Sequence, residues 1–375
     1  ISSAASDVYK RQINYSAMLR IVFDNIIFSL QRTGGISVVW YEILKRFLST
    51  EQKISFIEFT FIDNLQRALL LIPKKQIVKY PASTLKYRRY FPVSCADESE
   101  RFVFHSSYFR ISSNPNAINI TTVHDFTYEY FYHGLHKWIH CWQKYYAIRK
   151  AKYVICISEN TKKDLLRFLP DVDSKKVRVI YNGVSDDYFP LQNIENIDLP
   201  FDVKSYLLFV GERKAYKNFK LVIESIRRKD WKIVIVGASL TQEEIRFLDL
   251  NIGNQRYSYM GRISNRQLNI LYNGAKAFVY PSSYEGFGIP VLEAQRAGCP
   301  VIAYNSSSIP EIIGDTPLLM NSLDEVELCS KLELLSDEKL CLDVIQKGLE
   351  NAKRFSWNKM YEQLASLYEE AYNEI

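Results

Sequence analysis

Short apolar runs alternate with helix-periodic stretches along almost the whole chain, and they do so in two successive sets. The first set is RIVFD (20–24), ISFIEF (54–59), FVFHS (102–106), INITTVHD (118–125), YVICIS (153–158) and VRVIYNG (177–183). The second is YLLFVG (206–211), KIVIVG (232–237), YSYMG (257–261), AFVYPS (277–282) and VIAYN (301–305). These runs are mostly continuous rather than alternating, as expected of strands covered on both faces in a parallel sheet. Helical patterns at 36–49, 159–169, 218–227 and 264–273 separate many of them. The result is a βαβ signature that occurs twice and predicts an α/β chain of two doubly wound domains.

The stretch 185–203 breaks the pattern with two prolines and little periodicity, which places a linker at 191–203 between domains at 18–190 and 204–355. Residues 356–375 read as a terminal helix with Ser356 as N-cap, expected to pack back on the first domain. Residues 1–17 precede Met18 and read as an extension outside the fold. Two such domains leave a cleft at the carboxyl ends of their strands, so ligand-binding motifs belong just after strands.

The densest such motif is YPSSYEGFGIPVLEAQRAGCPV, residues 280–301. Its strand ends in Pro281-Ser282, its loop holds Gly286 and Gly288, and Pro290 suits the first turn of a helix. Gly298 and Pro300 stop that helix. Its N-terminus would aim free N–H groups and a positive dipole end at the cleft, which favours phosphate or a departing anion. Glu285 stands in the loop and Glu293 in the helix. Ionised carboxylates only accept hydrogen bonds, so the pair suits a ligand rich in hydroxyls, such as a sugar and a ribose.

This stretch resembles the signature of retaining glycosyltransferases of family 4. The order of TVHDFTYEYF, VICISENTKKDLLRF, VIYNGV, FVGERKAYKNFKLVIES, MGRISNRQLNILYNGAKAFVYPSSYEGFGIPVLEA and SSIPEIIGD resembles that family over roughly residues 18–372. The resemblance implies the GT-B fold: two Rossmann-like domains facing a central cleft, the first for the acceptor and the second for the nucleotide-sugar donor. It implies that Glu285 contacts the transferred sugar beside the backbone of Phe287, Gly288 and Ile289, and that Glu293 holds the ribose. Arg213 and Lys217, with Gly211 just before them, correspond to the basic pair on the diphosphate. His124 corresponds to the histidine beside the donor sugar, and Asp125 is expected to orient its surroundings. Gly34 and Gly35 correspond to the glycine loop near donor phosphate and acceptor, although Ser37 departs from the commoner Gly-Gly-Ile-Gly pattern. Met260, Gly261 and Arg262 would border the base.

The implied activity is transfer of a hexose, mannose favoured, to a glycan or polyprenyl-diphosphate-linked acceptor in surface polysaccharide biosynthesis. No cofactor and no metal are expected. The alternatives are a non-catalytic subunit of the same fold supporting a partner transferase, or a UDP-sugar-dependent glucosyl-type transferase. Guanine versus uracil stays open.

Other features read more plainly. Asp171-Val172-Asp173 mimics a metal motif but sits in a polar turn. His133, His136 and His140 have helical spacing without a clear carboxylate or cysteine to complete a metal site. Leu135, Trp138, Ile139, Trp142, Tyr145 and Tyr146 form a stripe at helical spacing that reads as a buried helix face. Six cysteines without C-x-x-C spacing read as free thiols of a cytoplasmic protein. Residues 1–190 carry 27 Lys+Arg against 17 Asp+Glu, whereas 191–375 carry 21 against 25. The basic half suits an anionic membrane surface, as a peripheral association at the cytoplasmic face, or a phosphate-bearing substrate. No nucleic-acid motif accompanies the charge.

Overall fold

The computed structural model describes residues 18–94, 100–193, 199–227 and 229–374. The N-terminal extension, Cys95 and part of the linker therefore lie outside the described residues. The strands are β1 Arg20–Asp24, β2 Lys53–Phe59, β3 Ile77–Tyr80, β4 Phe102–Ser106, β5 Ala117–Val123, β6 Tyr153–Cys156 and β7 Val177–Val179 in one sheet. The second sheet holds β8 Tyr206–Val210, β9 Lys232–Val236, β10 Tyr257–Gly261, β11 Ala277–Tyr280, β12 Val301–Tyr304 and β13 Leu319–Met320. The helices that matter to the site are α1 Gly35–Phe47, α2 Gly134–Lys150, α3 Glu159–Phe168, α4 Phe219–Arg227, α5 Gln242–Ile252, α6 Asn265–Gly274, α7 Ile289–Arg296, α8 Ile309–Ile313 and α9 Trp357–Asn373.

All the strand pairings within these sheets are parallel. The strand orders are β3-β2-β1-β4-β5-β6-β7 and β10-β9-β8-β11-β12-β13. Each order reverses direction once, between β1 and β4 and between β8 and β11. Loops leaving two neighbouring strands at a reversal diverge to opposite faces and leave a crevice, where ligands of such sheets bind. The loop after β8 carries Arg213 and Lys217, and the loop after β11 carries Glu285. Their convergence follows from strand order alone.

Apolar side chains of α4, α5 and the faces of β8, β9 and β11 fill one core of the second domain. Residues of α6 and α7 fill another, and Val184 and Tyr188 belong to it, so the chain enters the second domain's core before residue 190. Trp357, Met360, Leu364, Leu367 and Tyr368 of α9 complete the core of the first domain around Phe23 and Phe47. The Tyr368 ring stacks on Phe47 at 5.4 Å, and its hydroxyl meets His105 Nδ1. Burial pushes the His105 imidazole down to about 3, so it stays neutral.

The helix α2 corrects one expectation. Leu135, Trp138, Trp142 and Tyr146 are exposed, with Ile139 and Tyr145 half-buried, while Cys141, Lys144, Ala147 and Ile148 face inward. The inward face tolerates a lysine because Lys144 Nζ is paired with Glu129 at 2.8 Å and lies over the Phe126 ring at 4.5 Å. A buried charge is tolerable only when paired in this way. The polarity of Lys144 therefore disguised the true inner face, and the bulky stripe is the outer one. Asp171 pairs with Arg149 at 2.8 Å and Asp173 caps the turn at Lys175, as a polar turn should. His140 is held by Tyr108 and stacks on Tyr128 at 3.8 Å, and no metal-binding cluster occurs among the described residues.

Candidate functional site

Pro290 occupies the first turn of α7, Gly288 precedes it with φ of 103°, and Gly298 ends it with φ of 73°. The loop that enters this helix is fixed by its own carbonyls. Ser308 Oγ donates to the oxygens of Glu285 (2.9 Å) and Phe287 (3.0 Å), and Ser307 Oγ accepts from Glu285 N (2.8 Å). With the carbonyls turned to Ser308, the N–H groups of Phe287, Gly288 and Ile289 find no acceptor among the described residues. They form the anion-receptive end of α7.

Glu285 projects from this loop and forms an ion pair with Lys217 Nζ, both side chains being largely buried. Lys217 also lies 5.3 Å from the Tyr280 ring. Asn218, in the left-handed region at φ of 53°, locks the two loops together. Its Nδ2 donates to Pro281 O at 2.7 Å and Ser283 Oγ at 2.8 Å.

Arg213 is held more rigidly. Its Nε and Nη2 donate to the Glu244 carboxylate at 2.7 and 3.2 Å, and Nη2 also donates to the carbonyls of Ala238 and Ser239. Glu244 is itself part of a capping box with Thr241 at the start of α5. The remaining Arg213 Nη1 is buried and meets no acceptor among the described residues. A buried cationic donor with an unmet hydrogen bond is costly unless a ligand oxygen supplies the acceptor. Beside it, Gly211, Gly237 and Gly261 end adjacent strands β8, β9 and β10 with φ of 126°, 143° and 66°. A Cβ at Gly237 would lie 2.4 Å from Gly211 O, so a side chain is excluded there. Met260 is partly exposed on the edge strand beside this shelf, and Arg262 follows it.

Glu293 lies one turn into α7, where Tyr272 Oη donates to its carboxylate at 3.2 Å. It borders a cavity of about 470 Å³ between the domains, lined also by Tyr41 and Lys45 of α1, Tyr188, Asn265 and Ile289. Burial pushes the Glu293 carboxyl up to about 7, outweighing the hydrogen bonds from Tyr272 and Tyr188 that favour its ionised form. The native chain then holds a proton that the unfolded chain has already released. The group's contribution to stability falls as pH rises from the ordinary glutamate range to about 7, and is level above that. The ribose role that the resemblance implies for Glu293 needs the ionised form, which alone is a pure acceptor for hydroxyls. Nucleotide affinity is therefore expected to rise up to about tenfold between about pH 6 and about pH 8. Calorimetric titrations across that range test this, and Glu293→Gln should flatten the profile; a flat wild-type profile would refute the assignment.

His124 opens the loop after β5. Its carbonyl approaches Gly286 so closely that a Cβ there would sit 1.9 Å from His124 O. Burial lowers its imidazole to about 4, with Asp125 partly opposing, so it is neutral. Asp125 Oδ1 accepts from Thr127 N at 2.9 Å. Gly34 and Gly35 open α1, whose Val38 and Tyr41 line the same cavity as Glu293. The structure thus brings Glu285 and Lys217 into contact and sets the His124 carbonyl against the glycine loop, while Glu293 borders the cavity between the domains and Arg213 is held on Glu244 in a separate pocket.

Several members of the arrangement were not singled out from sequence. Ser158 Oγ donates to Gly286 O at 2.8 Å, and Thr161 Oγ1 at 3.3 Å. Glu311 of α8 accepts from the N–H groups of Glu159 and Asn160 at 3.0 Å each, capping α3 across the cleft. Tyr284 Oη donates to Asp164 at 2.7 Å and accepts from Phe126 N at 3.0 Å. The motif stretches containing Ser158 and Glu311 were visible, but their partners lie more than a hundred residues away.

The comparisons agree with this architecture. A family model described as Glycosyltransferase Family 4 matches residues 33–188, and one described as Glycosyl transferases group 1 matches residues 192–351. The chain is 26% identical over 235 residues to O-antigen chain mannosyltransferase B of Escherichia coli, covering 59% of this chain and 61% of that protein. It is 32% identical over 189 residues to O-antigen chain mannosyltransferase RfbU of Salmonella typhimurium, covering 48% and 49% respectively. The match thus spans about half to three-fifths of these relatives' length. Among solved structures, sucrose-phosphate synthase of Thermosynechococcus elongatus superposes with a TM-score of 0.75 at 18% identity, over 94% of this chain and 98% of that one. HepE of Anabaena, in complex with UDP and glucose, superposes with a TM-score of 0.70 at 15% identity, over 93% and 99%.

Proposed function

The chain belongs to glycosyltransferase family 4, and on that premise we propose that it transfers a hexose, with retention, from a nucleotide diphosphate sugar to a glycan or lipid-linked glycan acceptor. The observation that carries this reading is the meeting of Glu285 and Lys217 at the free N-terminus of α7. A carboxylate for sugar hydroxyls, a cation for a diphosphate and an anion-receptive helix end stand within one crevice.

The chemistry follows from that placement. The acceptor hydroxyl attacks the anomeric carbon on the face from which the diphosphate departs, and the bond between that carbon and the phosphate oxygen breaks. The hydroxyl proton passes to the departing phosphate oxygen. Lys217, Arg213 Nη1 and the N–H groups of residues 287–289 stabilise the charge that develops there. Glu285 and the neutral His124 position the sugar. The reading asks for no metal, because those fixed cations and dipoles supply the charge.

Mannose is favoured as the sugar because both relatives described above are mannosyltransferases of O-antigen chains. GDP-mannose is expected to raise the melting temperature more than UDP-glucose, and transfer from the preferred donor is expected to survive EDTA. Stabilisation by UDP-glucose alone would move the reading to the glucosyl-type alternative, and loss of transfer in EDTA would remove the metal-free mechanism. No helix among the described residues is long and apolar enough to cross a membrane. A lipid-borne acceptor would then be met by peripheral association, driven in part by the basic first half and screened by salt.

A further inference from the structure

We propose that the exposed aromatic stripe of α2, together with the basic segment 85–91 docked beside it, is the face by which this protein lies on an anionic bilayer. The inference rests on the reading of a membrane-borne acceptor and names the surface that would meet it.

The stripe is unpartnered and continuous. Leu135 is 69% exposed, Trp138 65%, Trp142 49% and Tyr146 37%. At 100° per residue these positions share one face, and Arg149 extends it. The opposite face carries Lys144 and Ile148 into the core. At 1.5 Å per residue the stripe is about 16 Å long. Gln143 Nε2 donates to Arg89 O and so fixes the segment 85–91 against the side of α2. That segment exposes Tyr87 and Phe91.

Charge selects the occupant. Residues 64–94 contain seven Lys and Arg and no Asp or Glu, and residues 130–158 contain five Lys and Arg and no Asp or Glu. Arg67, Lys144, Arg149 and Lys152 are paired with Glu58, Glu129, Asp171 and Glu374. A patch of tryptophan, tyrosine and leucine beside the remaining cations, Lys86 and Arg88 among them, matches the layered chemistry of a lipid interface. Indole and phenol rings sit at headgroup depth, and lysine and arginine reach the phosphates. A second copy of this chain would bring like charges together across the contact, which disfavours it.

Position gives the surface a purpose. Phe131, just before the stripe, is partly exposed and stacks on Tyr216 of the second domain at 5.0 Å. Tyr216 immediately precedes Lys217, so the stripe begins at the mouth of the cleft. A diphosphate-linked glycan anchored in the bilayer would then enter laterally, with its lipid remaining in the membrane.

Flotation with phosphatidylglycerol–phosphatidylethanolamine vesicles at low salt is expected to carry the wild-type chain, whereas phosphatidylcholine vesicles should not. The double variant Trp138→Ser/Trp142→Ser should partition at least about tenfold less. Arg88→Gln/Arg89→Gln should lose much of the dependence on anionic lipid. Donor hydrolysis without vesicles should be unchanged in the tryptophan variant, because both side chains lie outside the cleft. If that variant floats as well as wild type, this face is overturned while membrane association stands. If the wild type fails to float, both are overturned. A concentration-dependent dimer that the tryptophan variant abolishes would assign the face to a second copy and overturn the proposal.

Discussion

Glu285→Ala is expected to lower the transfer rate by about a thousandfold while leaving nucleotide affinity within about threefold of wild type, a loss on the scale of removing one preorganised polar group from a transition state. The selectivity follows from geometry. Glu285 leaves the loop after β11 at the α7 N-terminus, whereas Glu293, the proposed ribose acceptor, lies one turn further along. Removing Glu285 also frees Lys217, its ion-pair partner, for the diphosphate. Nucleotide binding therefore has no reason to weaken. Steady-state transfer with a saturating acceptor, and calorimetry with the nucleotide alone, give the two numbers. Transfer within tenfold of wild type, or nucleotide binding lost in parallel with transfer, would remove Glu285 from the sugar site.

Lys217→Ala should damage both steps, weakening the nucleotide by roughly ten- to a hundredfold and transfer by at least a further tenfold. Two effects add. The cation proposed to meet the diphosphate is lost, and Glu285 is left as an unpaired, largely buried carboxylate that would repel it. Lys217→Met keeps the stem against the Tyr216 and Tyr280 rings and should behave like the alanine variant if charge is the cause. Combining Lys217→Met with Glu285→Gln removes both charges, and nucleotide affinity should recover part of the loss. Binding of the free nucleoside, which has no phosphate, should not change in any of these variants. Wild-type diphosphate affinity in Lys217→Ala would dismiss its role.

The strand runs were legible because a parallel sheet covered on both faces demands uninterrupted apolar residues, and RIVFD and FVFHS coincide with β1 and β4. The edge strands β3 and β13 were missed. The first is half-exposed and mixed in polarity, and the second is two residues long, so neither needs such a run. The glycine loop and its two glutamates were legible because loop, helix start and helix stop are encoded within a few residues. Glu244, Glu311, Ser158 and Tyr188 were not, since each acts on a group that only the packed fold brings near. The outer face of α2 was misread for a related reason. Lys144 looks like a surface residue until Glu129, fifteen positions earlier, is folded beneath it.

The helix α9 lends Tyr368, Leu364 and Leu367 to a core otherwise built from residues before 181. On a ribosome this sets an order of events. The first sheet can assemble once its own strands have emerged, but His105, Phe47 and Trp40 stay uncovered until residues 357–373 arrive. At about 5–20 residues per second, roughly ten to forty seconds separate the two. Once Val344 and Phe355 have emerged, late in that interval, the second domain has everything its cores need, and the first still does not. Maturation of the chain is thus expected to run in reverse of its synthesis, with the domain made first becoming native last.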